Sequence, residues 1–442
     1  MSSPLASHET QEIESCFVVP SEKTPNQVLW LSPLDIVLSN RGGHTALVHF
    51  YRRDGVVDAA ANGFFDVGRL KAAMARALVA FYPLAGRLRV NGDGRPEIDC
   101  NGEGVFFVVA RSELTVDDAM SDLRPSPEFK RLFIPRIESP SPLVVAQVTF
   151  LRCGGVALGT AAHHGAVDGH SNFNFLQTWA AFCRDAAAAT VATSPPCHDH
   201  TLIHARSPLI IHQDALHIFC PKLNLHDHHP TPTTTKILSI SNHHLAILKS
   251  ITNNASTYAT VTALLWQCAC AARRLPLNSR TRVRFPVNIR RLMNLPDHYF
   301  GNGVIEVCVS GIVKEIVSGT LADIAARIKA VMGRLNKDNE ILRSGIDYHE
   351  ISGMPDRPDH GSLPETELRV NSWLGIPLYD VDFGWGKAGA MSLVECSSGG
   401  YFYVMDGSGG GGGDVRVIVC METVNLGEFE RLLRAKCSYA RI

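Results

Sequence analysis

Two short segments of this chain carry side chains that could do chemistry. The first runs His164-Gly-Ala-Val-Asp168-Gly169, directly after the apolar stretch VALGTAA and directly before a helical pattern. An imidazole with its ordinary pKa of ~6.5 is mostly neutral near pH 7 and can take up a proton. A strand-to-helix turn would present that base on rigid backbone. The spacing alone decides little, because 19 histidines and 43 acidic residues in 442 positions generate it by accident. It gains weight from the second segment, Asp382-Phe-Gly-Trp-Gly386, far downstream. There, two glycines around a tryptophan suit a tight turn with close backbone approach. His163 competes with its neighbour for the role of base. On extended backbone the two side chains point to opposite sides, and the register to Asp168 selects His164.

The surrounding elements must hold these segments in place. LVVAQVTFLRCGGVALGTAAHH reads as two strands folded at Gly154-Gly155 that deliver the chain to His164, and SNFNFLQTWAAFCRD reads as the helix that follows. Upstream, Leu70, Ala73, Met74, Ala77 and Leu78 recur on one helix face, so VGRLKAAMARALVA is an amphipathic helix against a core. Residues 188–235 change character. Proline, threonine and histidine crowd together there with little periodicity, which reads as a long crossover. Eight histidines fall between His198 and His229, yet metal ligation needs ligands converging on a rigid frame, so the crowding is read as composition. Beyond the crossover, TYATVTALLWQCACAARRL is a strongly apolar helix with Ser256 and Thr257 at its start. RVRFPVNIRRLM is a strand entering a basic turn, and GSGGGGGD reads as a flexible hairpin tip. Strands and helices mix in both halves. That predicts an α/β protein of two domains, 1–187 and 236–442, with a cleft between them.

Composition excludes several classes. A formal net charge of -1 offers no basic face for nucleic acid. Twelve dispersed cysteines without a C-x-x-C read as mostly free, buried thiols in a reducing compartment. The polar, acidic start MSSPLASHETQEIESC is not a secretory signal, and no run approaches the ~18 apolar residues of a membrane span, so a cytoplasmic location is expected. No G-x-G-x-x-G joins a strand to a helix, and Walker, G-x-S-x-G and H-E-x-x-H patterns are missing, which removes nucleotide-driven, serine-hydrolase and zinc-protease mechanisms.

Together, His164-x-x-x-Asp168-Gly169 and Asp382-Phe-Gly-Trp-Gly386 resemble the paired signature motifs of the plant acyl-CoA-dependent BAHD acyltransferases. Leu31-Ser-x-x-Asp35, Tyr82-Pro-Leu-Ala-Gly-Arg87, Val287-Asn-x-Arg290 and Tyr299-Phe-Gly-Asn302 extend the resemblance nearly end to end. ALVAFYPLAGRL, EIDCNGEGVFFV and SWLGIPLYDVDFGWGK are most similar to the hydroxycinnamoyl-CoA transferases of phenylpropanoid and phenolamide metabolism. The resemblance implies two chloramphenicol-acetyltransferase-like domains with mixed sheets, joined by a long crossover loop, and a monomer. Acyl-CoA and acceptor would enter a channel between the domains from opposite faces. Acyl-CoA is then a substrate. No cofactor, no metal, no nucleic acid and no membrane partner are implied.

On that resemblance His164 deprotonates the acceptor as it attacks the thioester, then returns the proton as CoA leaves. Asp168 admits two roles. It could orient His164 as in a Ser-His-Asp triad, or, as in the family, turn away and pair with an arginine, here Arg290. Asp382 is either a general acid or a turn-builder, Trp385 could lend its N–H to the oxyanion, and Gly384 and Gly386 shape the turn. Ser256, Thr257, Arg290 and Arg291 are candidates for the phosphates of CoA, with Lys387 a further one. Members that use shikimate or quinate carry an arginine shortly after the Ser-Trp pair ahead of the second motif. Ser372-Trp373-Leu-Gly375 has glycine at that place. A charge-assisted partner worth about 1.5–3 kcal/mol is thereby lost. The expected acceptor shifts to an amine, either a polyamine or an arylamine, with shikimate, quinate, glycerol or another alcohol as the alternative. Asp35, Asp380 and Glu395 are candidates to hold an ammonium group.

Overall fold

The computed structural model describes residues 5, 7–53, 63–185, 195–219, 231–352, 362–396, 398–407 and 413–439. In the first half the order is β1 (Thr10–Val18), β2 (Val28–Trp30), α1 (Pro33–Gly42), β3 (His44–Tyr51), α2 (Val67–Ala80), β4 (Arg87–Val90), β5 (Pro96–Asp99), β6 (Val105–Ser112), α3 (Val116–Ser121), α4 (Pro127–Phe133), β7 (Val144–Leu151), β8 (Val156–His163) and α5 (Gly169–Arg184). The middle contributes α6 (Gln213–Phe219). The second half runs β9 (Thr233–Ile240), α7 (Asn242–Ile251), α8 (Thr257–Ala272), β10 (Arg280–Asn288), β11 (Val304–Ile312), α9 (Val313–Ser318), α10 (Leu321–Lys337), α11 (Asn339–Ser352), β12 (Glu367–Ser372), β13 (Ala390–Leu393), β14 (Tyr401–Asp406), β15 (Val415–Glu422) and α12 (Thr423–Tyr439).

Two six-stranded mixed sheets organise these elements, in the orders β1-β6-β7-β8-β3-β13 and β11-β10-β12-β14-β15-β9. β7 and β8 form the hairpin read from the sequence, turned at Gly154 with φ +81°. The apolar stripe of α2 is fully buried. Chain order does not separate the sheets, however. β13, from the second half, pairs antiparallel with β3 at the edge of the first sheet. The reason is local: Tyr51 donates its hydroxyl proton to Val381 O at 2.8 Å, and His49 Nε2 bonds Leu378 O at 3.0 Å, so β3 captures the segment leading into β13.

The crossover expected as loop is partly ordered, since α6 and a 3₁₀ turn at His200–Ile203 lie within it. Residues 188–194 and 220–230 of that segment fall outside the described residues, as does the centre of the glycine-rich hairpin tip, 408–412. Among the described residues ten cysteines are free thiols, most of them buried as expected, while Cys308 is disulfide-bonded. Among the described residues no helix is long and apolar enough to cross a membrane, and no cluster of His, Cys, Asp or Glu is placed to hold a metal.

The two faces of the second sheet differ. Val283, Phe285, Leu368, Val370, Phe402, Val404, Val417 and Val419 pack with α8 into one core. Alternate positions on β14 and β15, including Tyr401, Tyr403, Ile418 and Cys420, pack instead with the core of the first sheet. The period-two alternation of a strand puts Arg284 of β10 and Arg369 of β12, a registered pair, on this second face.

Candidate active site

His164 follows the last residue of β8, at the junction of the two sheets. Its N–H donates to Gly43 O at 2.8 Å, and its carbonyl accepts from Asn302 Nδ2 at 2.8 Å. The imidazole Nδ1 lies 3.2 Å from Asn302 Oδ1. Asn302 Nδ2 also donates to Asp35 Oδ1 at 2.8 Å. A carboxylate only accepts, so this bond fixes which end of the amide faces Asp35. Oδ1 is then the atom facing His164, and Nδ1 of His164 must carry the proton. Nε2 keeps its lone pair. That is the tautomer a general base needs.

Behind Asn302 lies a buried ion pair. Asp35 caps α1 in a capping box with Ser32, and its Oδ2 also accepts from His200 Nδ1 at 2.9 Å. The other ring nitrogen of His200 is 2.9 Å from Phe300 O, so both nitrogens donate and the ring is an imidazolium. Burial works against both charges, but their mutual attraction holds Asp35 below the usual carboxylate range and His200 above its usual value. His200 was read as composition in a histidine-rich stretch. Only its burial against Asp35, far away in sequence, reveals its role.

Asp168 turns away from His164. Arg290 donates to it twice, NH1 to Oδ2 at 2.7 Å and NH2 to Oδ1 at 3.1 Å, while Ser171 N and Gly303 N each donate at 2.9 Å. Asp168 thus caps α5 and pins the loop carrying Asn302. These bonds outweigh burial and depress its pKa. The loop depends on glycine at two places. A Cβ on Gly301, at φ +149°, would meet His200 Nε2 at 2.7 Å, and one on Gly303 would meet Arg290 NH1 at 2.6 Å.

Burial is the main influence lowering the pKa of His164, and the nearby charge of Arg369 adds to it, against smaller opposing contributions from Asp168 and Asn302. The ring is therefore neutral at physiological pH. His163 differs: its Nδ1 accepts from Gly165 N at 3.1 Å, its ring meets His44 edge-on at 5.1 Å, and burial pushes its pKa down to about 3.

The second motif forms a separate turn. Asp382 Oδ1 accepts from Gly384 N at 2.7 Å and Gly386 N at 3.0 Å, and both glycines have positive φ near +100°. Trp385 stacks on Phe65 at 5.0 Å with the Arg69 guanidinium over its ring at 4.9 Å. Among the described residues neither Asp382 nor Trp385 hydrogen-bonds or ring-stacks with His164.

The remaining candidates scatter. Ser256 caps α8 and is exposed, Thr257 is half-buried beside it, and Arg291 is exposed. Arg290 cannot serve CoA, because it is 5% exposed and engaged by Asp168, Ser171 and Gly301 O. Lys387 pairs with Asp380, and Lys130 with Glu395, both at the surface. None of the three acids expected to hold an ammonium is available beside His164: Asp35 is saturated, and Asp380 and Glu395 face solvent. On the inner face of the second sheet Glu306 pairs with Arg284 at 2.5 Å and Arg369 at 3.0 Å, and Glu367 pairs with Arg282.

The chain is similar to known proteins over nearly its full length. The Transferase family matches residues 9–434. Putrescine hydroxycinnamoyltransferase 1 of Oryza sativa is 38% identical over 95% of this chain and 97% of its own length. Hydroxycinnamoyl-CoA:5-hydroxyanthranilate N-hydroxycinnamoyltransferase HHT4 of Avena sativa is 34% identical over 95% and 98%. The crystal structure of F. graminearum TRI101 with coenzyme A and T-2 mycotoxin shares the fold, with a TM-score of 0.75 at 17% identity over 92% of this chain and 97% of that one. The chain therefore belongs to the Transferase family of BAHD acyl-CoA-dependent acyltransferases.

Proposed function

We propose that this enzyme moves a hydroxycinnamoyl group from its CoA thioester to an amine within a ternary complex, with His164 as general base. Nε2 takes the proton of the attacking N–H as the C–N bond forms. The tetrahedral carbon then collapses, the C–S bond breaks, and the proton passes to the CoA thiolate. The observation that carries this chemistry is the Asn302 contact that leaves Nε2 of His164 unprotonated. Asp168 and Arg290 serve as a brace for the loop, and Asp382 with Trp385 as a turn-builder. CoA phosphates fall to Ser256, Thr257 and Arg291, of which Ser256 and Arg291 are exposed and Thr257 is half-buried.

Two points support an amine. Gly375 stands where an acceptor-gripping arginine would sit, with its N–H already donated to Asp406 Oδ2 at 2.8 Å. Two relatives of nearly full coverage are named for amine acceptors. The test is CoA release from coumaroyl-CoA against putrescine, spermidine, arylamines, shikimate and glycerol. Release only with an amine present is expected. Release without acceptor would mean hydrolysis, and turnover of shikimate without any amine would mean O-acylation.

A further inference from the structure

The loop that presents Asn302 to His164 is clamped from two sides. Arg290 and Asp168 hold it at Gly301 O and Gly303 N, with charges that do not change near neutral pH. The second clamp is the ring of His200. Its Nε2 donates to Phe300 O at 2.9 Å, and its Nδ1 donates to Asp35 Oδ2, also at 2.9 Å. Asp35 Oδ1 in turn accepts from Asn302 N at 3.1 Å and from Asn302 Nδ2 at 2.8 Å. One ring thus grips the loop at Phe300 directly and at Asn302 through a single carboxylate. Glycine at 301 lets it lie this close, since a Cβ there would meet His200 Nε2 at 2.7 Å.

The two grips need both ring protons. Ser32 N, Ser32 Oγ, Asn302 and His200 all donate to the Asp35 carboxylate, so it accepts as an anion. Among the described residues His200 is the cation paired with it. A neutral ring keeps one N–H. Given to Asp35, that N–H leaves a bare nitrogen facing Phe300 O. Given to Phe300 O, it leaves Asp35 as a buried charge without a counter-ion. Such a carboxylate takes up a proton, and the new O–H must displace a donor of Ser32 or Asn302. Either way the displacement falls on the surroundings of residues 300–302, where the contact from Asn302 Oδ1 to His164 Nδ1 is already 3.2 Å.

Resting on His164 as the base, we propose that His200 is a positioning residue for acyl transfer. Its second proton holds Asn302 in the orientation that keeps Nε2 of His164 bare, and loss of that proton disarms the base at alkaline pH. Burial opposes the charge of His200, but Asp35 from α1 and Asp199 from the same turn outweigh it. His198 beside it is neutral, its pKa lowered by burial to about 4. Tyr299, 5.8 Å away between ring centres, is kept un-ionised by burial. Arg290 lies beyond Tyr299 and is offset by Asp168, and β2, packed on the turn, has no titratable side chain. With the pKa of His200 raised above its usual ~6.5, the clamp is intact below that pH and is lost as pH rises through the higher value. His164, whose pKa burial lowers, gains its lone pair as pH rises, so the two histidines bound a pH window from opposite sides.

The experiment compares wild type with His200→Gln, which has no charge, and His200→Arg, which keeps one throughout. It uses coumaroyl-CoA with whichever of putrescine, spermidine, an arylamine, shikimate or glycerol the wild type turns over. His200→Gln should lower kcat by about 10-fold at neutral pH and leave the KM for coumaroyl-CoA unchanged, because only the base is disturbed. His200→Arg should recover most of that loss. The ratio of its kcat to that of wild type should rise from about pH 7 to about pH 9, as the wild-type ring alone loses its charge. Taking the ratio cancels the ionisation of the acceptor. Nitrogen-15 spectra of histidine-labelled protein need no acceptor at all. At about pH 7.5 wild type should show an imidazolium that both variants lack. His164 should carry its proton on Nδ1 in wild type and divide between the two tautomers in His200→Gln. A neutral His200 at that pH, a ratio that stays flat, or an unchanged His164 tautomer with unchanged kcat in His200→Gln would each overturn the proposal. If His200→Gln does not fold, the wild-type spectrum and the His200→Arg ratio still decide. Failure of the amine reading changes only which acceptor is used, whereas full activity of His164→Ala would remove the base itself.

Discussion

The two signature turns look alike in sequence, each with an aspartate one or two residues ahead of a glycine, but they do different physical work. The turn after β8 is a joint between the halves of the chain. His164 and Asp168 from the first half reach Asn302, Arg290 and Gly303 from the second. The turn at Asp382–Gly386 closes on itself. Its carboxylate accepts from its own backbone, and its tryptophan is stacked on Phe65 of the first half. The first turn therefore joins the two halves around His164, and the second builds a turn of its own. A motif's position in sequence does not say which of these it does.

That contrast can be broken or sharpened by mutation. The largest effect is expected from His164→Ala, which should lower kcat by about 100- to 10,000-fold with the melting temperature retained, since general-base contributions are of that size. A folded alanine variant with normal turnover would remove the base from this site. Next is Asp168→Asn, which leaves the buried Arg290 without its counter-charge. Breaking such a pair costs about 3–5 kcal/mol, so a clear drop in melting temperature should accompany the loss of activity. Lost activity at an unchanged melting temperature would instead give Asp168 a chemical role.

Asn302→Leu should cost about 10-fold or more in kcat while sparing the KM for coumaroyl-CoA, because the imidazole loses the acceptor that selects its tautomer. Unchanged kcat would show that His164 needs no such partner. The pH profile gives a smaller, graded test. Burial lowers the pKa of His164 below 6.5, so the base is deprotonated and kcat/KM has already levelled off by that pH, with its acid limb lying lower. A limb centred above 6.5 would contradict the burial argument. Smallest of all is Asp382→Asn, whose side-chain oxygen can still accept from Gly384 and Gly386. It should change kcat by only a few-fold, about 1 kcal/mol or less, and leave the acid limb in place. A loss rivalling that of His164→Ala would make Asp382 a proton carrier.

Much of this was legible beforehand. The β7–β8 hairpin, α2, α5 and α8 follow from local periodicity, turn glycines and caps such as Ser256, and the family follows from the spaced motifs. Less legible was anything assembled at a distance. α11 shows no strong pattern in sequence, though its residues Ile341, Leu342 and Ile346 are buried. His200 sits among histidines of no apparent role, and Asp35 reads as a candidate ammonium-holding acid, because a free carboxylate and a capping carboxylate look the same in sequence.

The amino-acid sequence by itself determined which residues are able to react, the elements that carry them and the family to which they belong, since these depend on local preference and on residue type. Tertiary structure decided which nitrogen of His164 is bare and that Asp168 braces the loop of Asn302 through Arg290. Those outcomes depend on partners more than a hundred residues apart, and on burial, which gives each contact its strength only once the sheets have closed on one another.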